Sequence, residues 1–442
     1  MKKNLRNTFI LLLLTGSVAL QGQSSPYSLD DCINYAWENS TNLERSANQI
    51  RIDQSTLEQS RSALLPNLNL SLNQNLSSYT DYNTTNADWD RASIASSNVS
   101  LSSSMTLYNG AKLKNTIQQN ILELASSELD AETEKDLISL DILTAYINVL
   151  LAREQYDNSV AQLQSTEKLL EYAQVRQSTG IISKADYLNI KSQYSSEKAT
   201  AVSTKNELRM DLVSLMQLMN MPVSNDFDIV TPEIEKLLAA TIGTGAEEIY
   251  MLALGIRPEV KTAKTNIENA EMAVKIARAD YLPSLSLSAG LSTDYSDNVS
   301  GIDFAEQYTN QVSPSLGLSL SVPLFQRKKV KTQVAQASIQ ADNYRLNLQD
   351  VKNDLRKSIE QACVDAENAR IIYEAYREQC DAEQESYEMA EEMFSQGLIN
   401  SVDYITSKNS LRTAENNLSQ AKYNLVLQNK VINYYKGEDI TL

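Results

Sequence analysis

Two stretches decide how this chain folds: Leu64-Leu65-Pro66-Asn67-Leu68-Asn69-Leu70-Ser71-Leu72 and Tyr281-Leu282-Pro283-Ser284-Leu285-Ser286-Leu287-Ser288-Ala289. After each proline an apolar residue alternates with serine or asparagine, which is the period of a strand wetted on one face only. Two further stretches repeat the pattern. Val99, Leu101, Met105 and Leu107 alternate with Ser100, Ser102, Ser104 and Thr106, and Val312, Leu316, Leu318, Leu320 and Val322 alternate with Ser313, Ser315, Gly317, Ser319 and Ser321. Each stretch is close to the roughly 9–11 residues of a tilted membrane-crossing strand, and small polar residues on the second face suit a water-filled lumen. A half-buried antiparallel sheet in a water-soluble protein is the alternative. The connections Ser77 to Ser97 and Thr293 to Gln311 are polar and carry Tyr79, Tyr82, Trp89, Tyr295, Phe304 and Tyr308, as loops at the outer rim of a membrane barrel do.

The two prolines are not the only matched pair. Leu107-Tyr108 returns as Leu324-Phe325, Gly180 as Gly397 and Asp186-Tyr187 as Asp403-Tyr404, each pair 217 residues apart. A constant offset on breakers and turn residues predicts two halves of one architecture. The first repeat spans 23–222, with a strand hairpin over 67–108 and a helical hairpin over 109–221. The second spans 256–442, with a strand hairpin over 284–325 and a helical hairpin over 326–436, and 223–255 links them. No Gly or Pro occurs from Ala111 to Thr179 or from Gln326 to Gln396, so each segment predicts a helix about 100 Å long at 1.5 Å per residue. Leu411, Leu418, Leu425 and Ile432 recur every seven residues with Ala414 and Ala421 between them, a narrow coiled-coil seam.

Composition excludes several functions. A net charge of −17 argues against nucleic acid, and a chain without histidine lacks the commonest metal ligand and general base. Asp and Glu are scattered at surface-like spacings, so no catalytic residue and no cofactor is expected. Lys2, Lys3 and Arg6, the apolar run Phe9 to Leu14 and the small residues Gly16 to Ala19 read as a signal peptide over 1–22. Cys32 lies too far on for a lipid anchor, and Cys32, Cys363 and Cys380 are expected to be unpaired thiols.

Four strands cannot close a membrane barrel, and a barrel of about eight is filled by its own side chains. An open duct therefore needs at least three copies, and three chains giving twelve strands is the smallest ring. The expected fold is an α+β membrane protein: a trimeric twelve-stranded β-barrel, four strands per chain, continued by a long antiparallel α-helical barrel.

In its strand approaches Leu64-Leu65-Pro66 and Tyr281-Leu282-Pro283, its opening segment Leu29-Asp30-Asp31-Cys32-Ile33 to Asn39, its corners Leu107-Tyr108-Asn109-Gly110 and Pro323-Leu324-Phe325, and its turns Gly180 to Tyr187 and Gly397 to Tyr404, the chain resembles the TolC-like outer-membrane efflux family. The resemblance implies a homotrimer in outer-membrane lipid of a Gram-negative bacterium, its helical part in the periplasm. It further implies export of small molecules or polypeptides received from a periplasmic adaptor and an inner-membrane pump. A periplasmic coiled-coil adaptor or structural protein is the rival reading, and it would lack paired strands of membrane length.

The family narrows its periplasmic entrance with acids after the second helical turn. Asp403 matches the first of these positions, and the second is Thr406. Three Asp403 side chains around a narrow axis would repel anions and bind cations. Asp186 and Asp403 also stand three residues after Ser183 and Asn400, where an acid supports a helix N-terminus, and both roles can hold at once. The family's tip clasp falls on Phe394 and Ile399, which lack the hydroxyl and the charge it uses. The tips Gly180-Ile181-Ile182 and Gly397-Leu398-Ile399 then suit an apolar adaptor contact, or are helix-ending glycines with their hydrophobic partners.

Overall fold

The computed structural model describes residues 26–442 except 86, 235–237, 239–244, 300 and 439, so the predicted signal peptide and part of the linker 223–255 lie outside the described residues. In chain order the elements are α1 (Leu29–Asn39), α2 (Thr41–Ser62), β1 (Asn69–Asn83), β2 (Asp88–Tyr108), α3 (Lys112–Ser178), α4 (Lys184–Leu218), α5 (Ala246–Ile256), α6 (Pro258–Ala279), β3 (Ser284–Ser296), α7 (Phe304–Asn310), β4 (Ser313–Ser321), α8 (Lys329–Ser395) and α9 (Ser401–Lys436). The starts of α1 and α5, α2 and α6, α3 and α8, and α4 and α9 all lie 217 residues apart. α3 and α8 each run for 67 residues, about 100 Å of unbroken helix. Local chemistry sets the starts. Ser28 and Asp31 close a capping box on α1, Ser40 accepts from the Leu43 amide at the head of α2, and Pro258 opens α6.

The strands form one antiparallel sheet in the order β1-β2-β3-β4. Its register sorts the side chains by polarity. Leu70 faces Leu101, which faces Leu291; Met105 faces Leu287, which faces Leu318. One residue away, Ser71, Ser100, Ser292 and Ser313 lie across from one another, and the next such row is Asn69, Ser102, Gly290 and Ser315. One face is therefore leucine and the other serine. The leucines have no cover: Leu72 is 71% exposed and Leu316 77%. Among the described residues β1 and β4 have no strand on their outer edges.

Two expectations about the hairpin connections need correction. The stretch Ser77 to Ser97 is mostly strand, since β1 and β2 stay paired up to Asn83 opposite Asp88, and among the described residues only 84, 85 and 87 turn. Ser, Thr and Tyr without Gly or Pro keep the ladder going past the membrane length, and Tyr82 meets Trp89 across it with ring centroids 5.2 Å apart. The second connection contains a short helix, α7. Gln307 is buried there and returns to the strand end, accepting from the Ser296 amide and donating to the Ser296 carbonyl.

At the other end of the sheet the chain turns from strand into helix by one device used twice. A bulge after Thr106 frees Leu107, and Gly110 and Ala111 then take left-handed φ values of 65° and 65°. Gly110 is required, because a Cβ there would sit 2.9 Å from the Ala279 carbonyl oxygen and from Leu282. The second corner places Arg327 and Lys328 in the same region, at 48° and 64°, where each bears on the order of 1–2 kcal/mol of strain.

Dense apolar packing is confined to a belt half-way along the long helices. Ile142, Leu143, Tyr146 and Leu150 of α3 meet Cys32 and Ala36 of α1, and Leu215 and Met216 of α4. On the other side Ile249, Val260, Ile359 and Ile432 join α5, α6, α8 and α9. Tyr146 donates to the Val230 carbonyl at 2.7 Å, tying the linker to the belt. Buried Arg257, at the joint between α5 and α6, pairs with Asp136 at 2.7 Å and lies over the Tyr434 ring. The three cysteines are free thiols. No helix among the described residues is long and apolar enough to cross a membrane. Leu143→Ala should destabilise the chain by about 2–5 kcal/mol, the cost of a cavity in a fully buried site. An unchanged unfolding midpoint in denaturant would show that this belt is not the core.

Candidate functional site

The turns α3–α4 and α8–α9 form the end of the molecule furthest from the sheet. Gly180 and Gly397 take φ of +76° and +77°. The two amides after each helix fold back, Ile181 to the Arg176 carbonyl and Leu398 to the Met393 carbonyl, both at 2.9 Å. These are glycine-ended helices of the kind that satisfies its last carbonyls internally. Ile182 and Ile399 turn half inward. Ile181 and Leu398 project, 63% and 68% exposed.

The return helices start on capping residues. Ser183 accepts from the Asp186 amide at 3.1 Å, and Asn400 accepts from the Asp403 amide at 3.0 Å. Asp403 stays exposed, held by the Asn400 side chain, and exposed Thr406 donates its hydroxyl to the Val402 carbonyl. Asp186 does more. Its Oδ1 accepts from the Ser401 hydroxyl at 2.6 Å and from the Ser401 amide at 3.3 Å, so it joins the head of α4 to the head of α9. Ser401 is fully buried and also accepts from the Asn189 amide group at 3.2 Å. The Ser183 and Ser401 hydroxyls beside Asp186 hold its carboxyl below the usual range. A depressed folded-state value means that the stabilisation is present above the ordinary carboxylate pKa of about 4 and is lost as pH falls through the lower folded value.

Further from the tip the two hairpins continue to meet through polar side chains. Gln193 donates to Asn409 at 3.0 Å, buried Lys408 lies 3.3 Å from buried Glu197 and donates to Thr166, and Gln162 donates to Glu415. Then Glu154 accepts from Ser419, Lys422 and Tyr423. Burial pulls the Lys408 ammonium below its ordinary value, and Glu197 opposes that shift. Within the second hairpin, Tyr404 is buried under the Phe394 ring at 4.8 Å, and its hydroxyl lies 3.0 Å from that of Tyr387. Phe394 therefore packs inside its own hairpin.

The family model described as outer membrane efflux protein matches residues 32–221 and 249–432, most of both halves. The chain belongs to the outer membrane efflux protein family. Among curated relatives of this efflux protein, the alkaline protease secretion protein AprF of Pseudomonas aeruginosa is 25% identical over 436 residues, covering 97% of this chain and 87% of the relative. The outer membrane protein TolC of Escherichia coli K12 is 24% identical, covering 84% and 74%. The solved structure of CusC shares the fold at a TM-score of 0.78, with 15% identity over 94% of this chain and 93% of that one. The chain is thus an outer-membrane protein of the transport class.

In this efflux protein the structure brings together Asp186 and the head of α9, and leaves Asp403, Thr406, Gly180, Ile181, Gly397 and Leu398 at the surface of the single chain. Sequence reasoning missed Ser401, Tyr404, Lys408, Glu197 and Asn189. A signal for one of them was present: the seven-residue spacing read backward from Leu411 falls on Tyr404, which is buried, whereas buried Lys408 and Ser401 lie one residue off that seam. Replacing Asp186 by Ala strands the buried Ser401 hydroxyl at a cost of about 1–3 kcal/mol. Asp186→Ala should therefore raise single-channel conductance by separating the hairpin tips, whereas Asp403→Ala should raise it by removing charge and also weaken block by multivalent cations. Currents unchanged in both variants would deny these residues any part in the opening.

Proposed function

We propose that the chain is one third of a passive export duct, in which three copies close a twelve-stranded barrel in the outer membrane and their helical hairpins continue it as a tube through the periplasm. The observation that carries this reading is the sheet: four strands, both edges open, one face of exposed leucine and the other of serine. A leucine face of this size is unstable in water and suits hydrocarbon, while a serine face suits a wet bore. Joining β4 of one copy to β1 of the next would satisfy the edge backbone groups that hydrocarbon cannot hydrate. The 217-residue spacing of the helices supports an internal duplication with repeats over 23–222 and 256–442, joined by 223–255.

The tips are the proposed inner end of the duct. Asp403, with Thr406 behind it, is the candidate constriction, and Ile181 and Leu398, flanked by Ile182 and Ile399, form the proposed apolar contact for a periplasmic adaptor that delivers cargo from an inner-membrane pump. The polar ladder between the hairpins supports opening at this end, because water can replace those bonds far more cheaply than it can enter an apolar seam. A relative named for protease secretion keeps polypeptide among the candidate cargoes beside small molecules. The rival reading, a coiled-coil adaptor or structural protein, leaves the leucine face unexplained.

Native mass spectrometry of the detergent-extracted protein should give a trimer, and the same material should form conducting channels in planar bilayers. A monomeric chain released by osmotic shock without detergent would overturn the proposal and favour the adaptor.

A further inference from the structure

The strand-to-helix corners carry a charge pattern opposite to that of the whole chain. Residues 322–331, Val-Pro-Leu-Phe-Gln-Arg-Lys-Lys-Val-Lys, hold four basic residues and no acid, in a protein whose net charge is −17. The first corner has Lys112 and Lys114, and the helices that lead into the sheet end with Arg61 and Arg278. Three of these pairs lie 217 residues apart: Arg61 with Arg278, Lys112 with Lys329, and Lys114 with Lys331. Both halves therefore place cations at the same depth. The register puts all of them at one end of the sheet, since Asn69 pairs Ser102, Tyr108 pairs Leu285 and Ser284 pairs Ser321. The acid at this level, Asp280, is occupied by Lys112 at 2.7 Å.

The second corner is built to project. Gln326 donates to the Asp280 carbonyl and Val330 is buried, and these two anchors turn Arg327, Lys328, Lys329 and Lys331 outward. Arg327 and Lys328 occupy the left-handed positions that Gly110 and Ala111 fill in the first half, so bulky cations are kept where small residues would carry less strain. Before them, ahead of Gln326, Leu324 is 93% exposed and Phe325 85%. Leu324 continues the even-numbered apolar row of Leu316, Leu318, Leu320 and Val322 beyond the last paired strand residue. Leucine and phenylalanine followed, after Gln326, by four cations within five residues is the order met on passing from hydrocarbon into a layer of anionic headgroups.

We infer that this end of the sheet is a basic collar that docks onto anionic phospholipid headgroups of the membrane leaflet facing the helices. The inference rests on the duct reading above, which places the sheet in the bilayer. The collar fixes the depth of the barrel: the leucine face sets where hydrocarbon lies, and the cations hold the leaflet against the first turn of α3 and α8. The attraction falls off over about 8 Å at physiological salt, so only headgroups at the corner feel it.

The test uses the purified full-length trimer in detergent micelles doped with phosphatidylglycerol, with phosphatidylcholine, or with soluble glycerol phosphate, reading the thermal unfolding midpoint. Phosphatidylglycerol should raise the midpoint by several degrees, less in high salt, and phosphatidylcholine should not. The quadruple variant Arg327→Gln, Lys328→Gln, Lys329→Gln, Lys331→Gln should lose that response, and Lys328→Arg, Lys329→Arg, Lys331→Arg should keep it. An equal response to both lipids, a Gln variant that responds like the unmodified protein, or a shift reproduced by glycerol phosphate alone would overturn the collar. So would a Gln variant that is monomeric by native mass spectrometry, since the cations would then serve subunit contact. If instead the unmodified chain needed no detergent and responded to neither lipid, the duct reading itself would fail.

Discussion

A strand in hydrocarbon cannot leave backbone N–H and C=O groups without partners, and this constraint governs the whole molecule. The chain supplies four antiparallel strands and ends its sheet with two open edges. Each edge would carry a row of unmet hydrogen-bonding groups costing several kcal/mol apiece in lipid. In the proposed duct, copies of the chain provide the remedy. Everything else in the fold has a place once the sheet is treated as an arc of a ring: leucine on the outside, serine on the inside, and the small residues Gly290 and Gly317 where neighbouring serines crowd the inner face.

The helices answer a different solvent. Outside the belt around Leu143 and Ile359 they have little apolar core, and the hairpins hold each other through Asp186–Ser401, Gln193–Asn409, Glu197–Lys408 and Glu154–Lys422. Those that water reaches, such as Gln193–Asn409, are worth little apiece, whereas buried Glu197–Lys408 and the bond to buried Ser401 cost more to break. The apolar core is thus gathered in the belt, and the lower half is held by polar contacts.

The architecture was legible because breakers are so rare. With no Gly or Pro in the long segments, the few that exist mark turns, and the strand alternation of Leu with Ser is hard to mistake. The upper hairpin is not legible in polarity, because Ser, Thr, Asp, Asn and Tyr from 77 to 83 pair as well as the leucines do, their ladder being made by the backbone. At the tip, Ser183 and Asn400 were legible as helix starts, but the role of Asp186 was only half visible. That its carboxylate reaches across to Ser401 depends on two hairpins lying side by side, which no local pattern encodes. Lys408 and Glu197 escaped notice for the reason that charged residues on long helices are usually solvated, and Lys408 lies one residue off the seam that runs through Leu411.

The ring closure can be tested by joining the open edges directly. In a chain with Cys32, Cys363 and Cys380 replaced by Ser, one cysteine at Asn73 on β1 is combined in turn with cysteines at Ser315, Gly317, Ser319 and Ser321 on β4, and the membranes are oxidised. β1 and β4 are opposite edges of one sheet, so closure by three copies predicts covalent dimers and trimers on denaturing gels for the register in which the edges meet. Bands of monomer size at every register would contradict it.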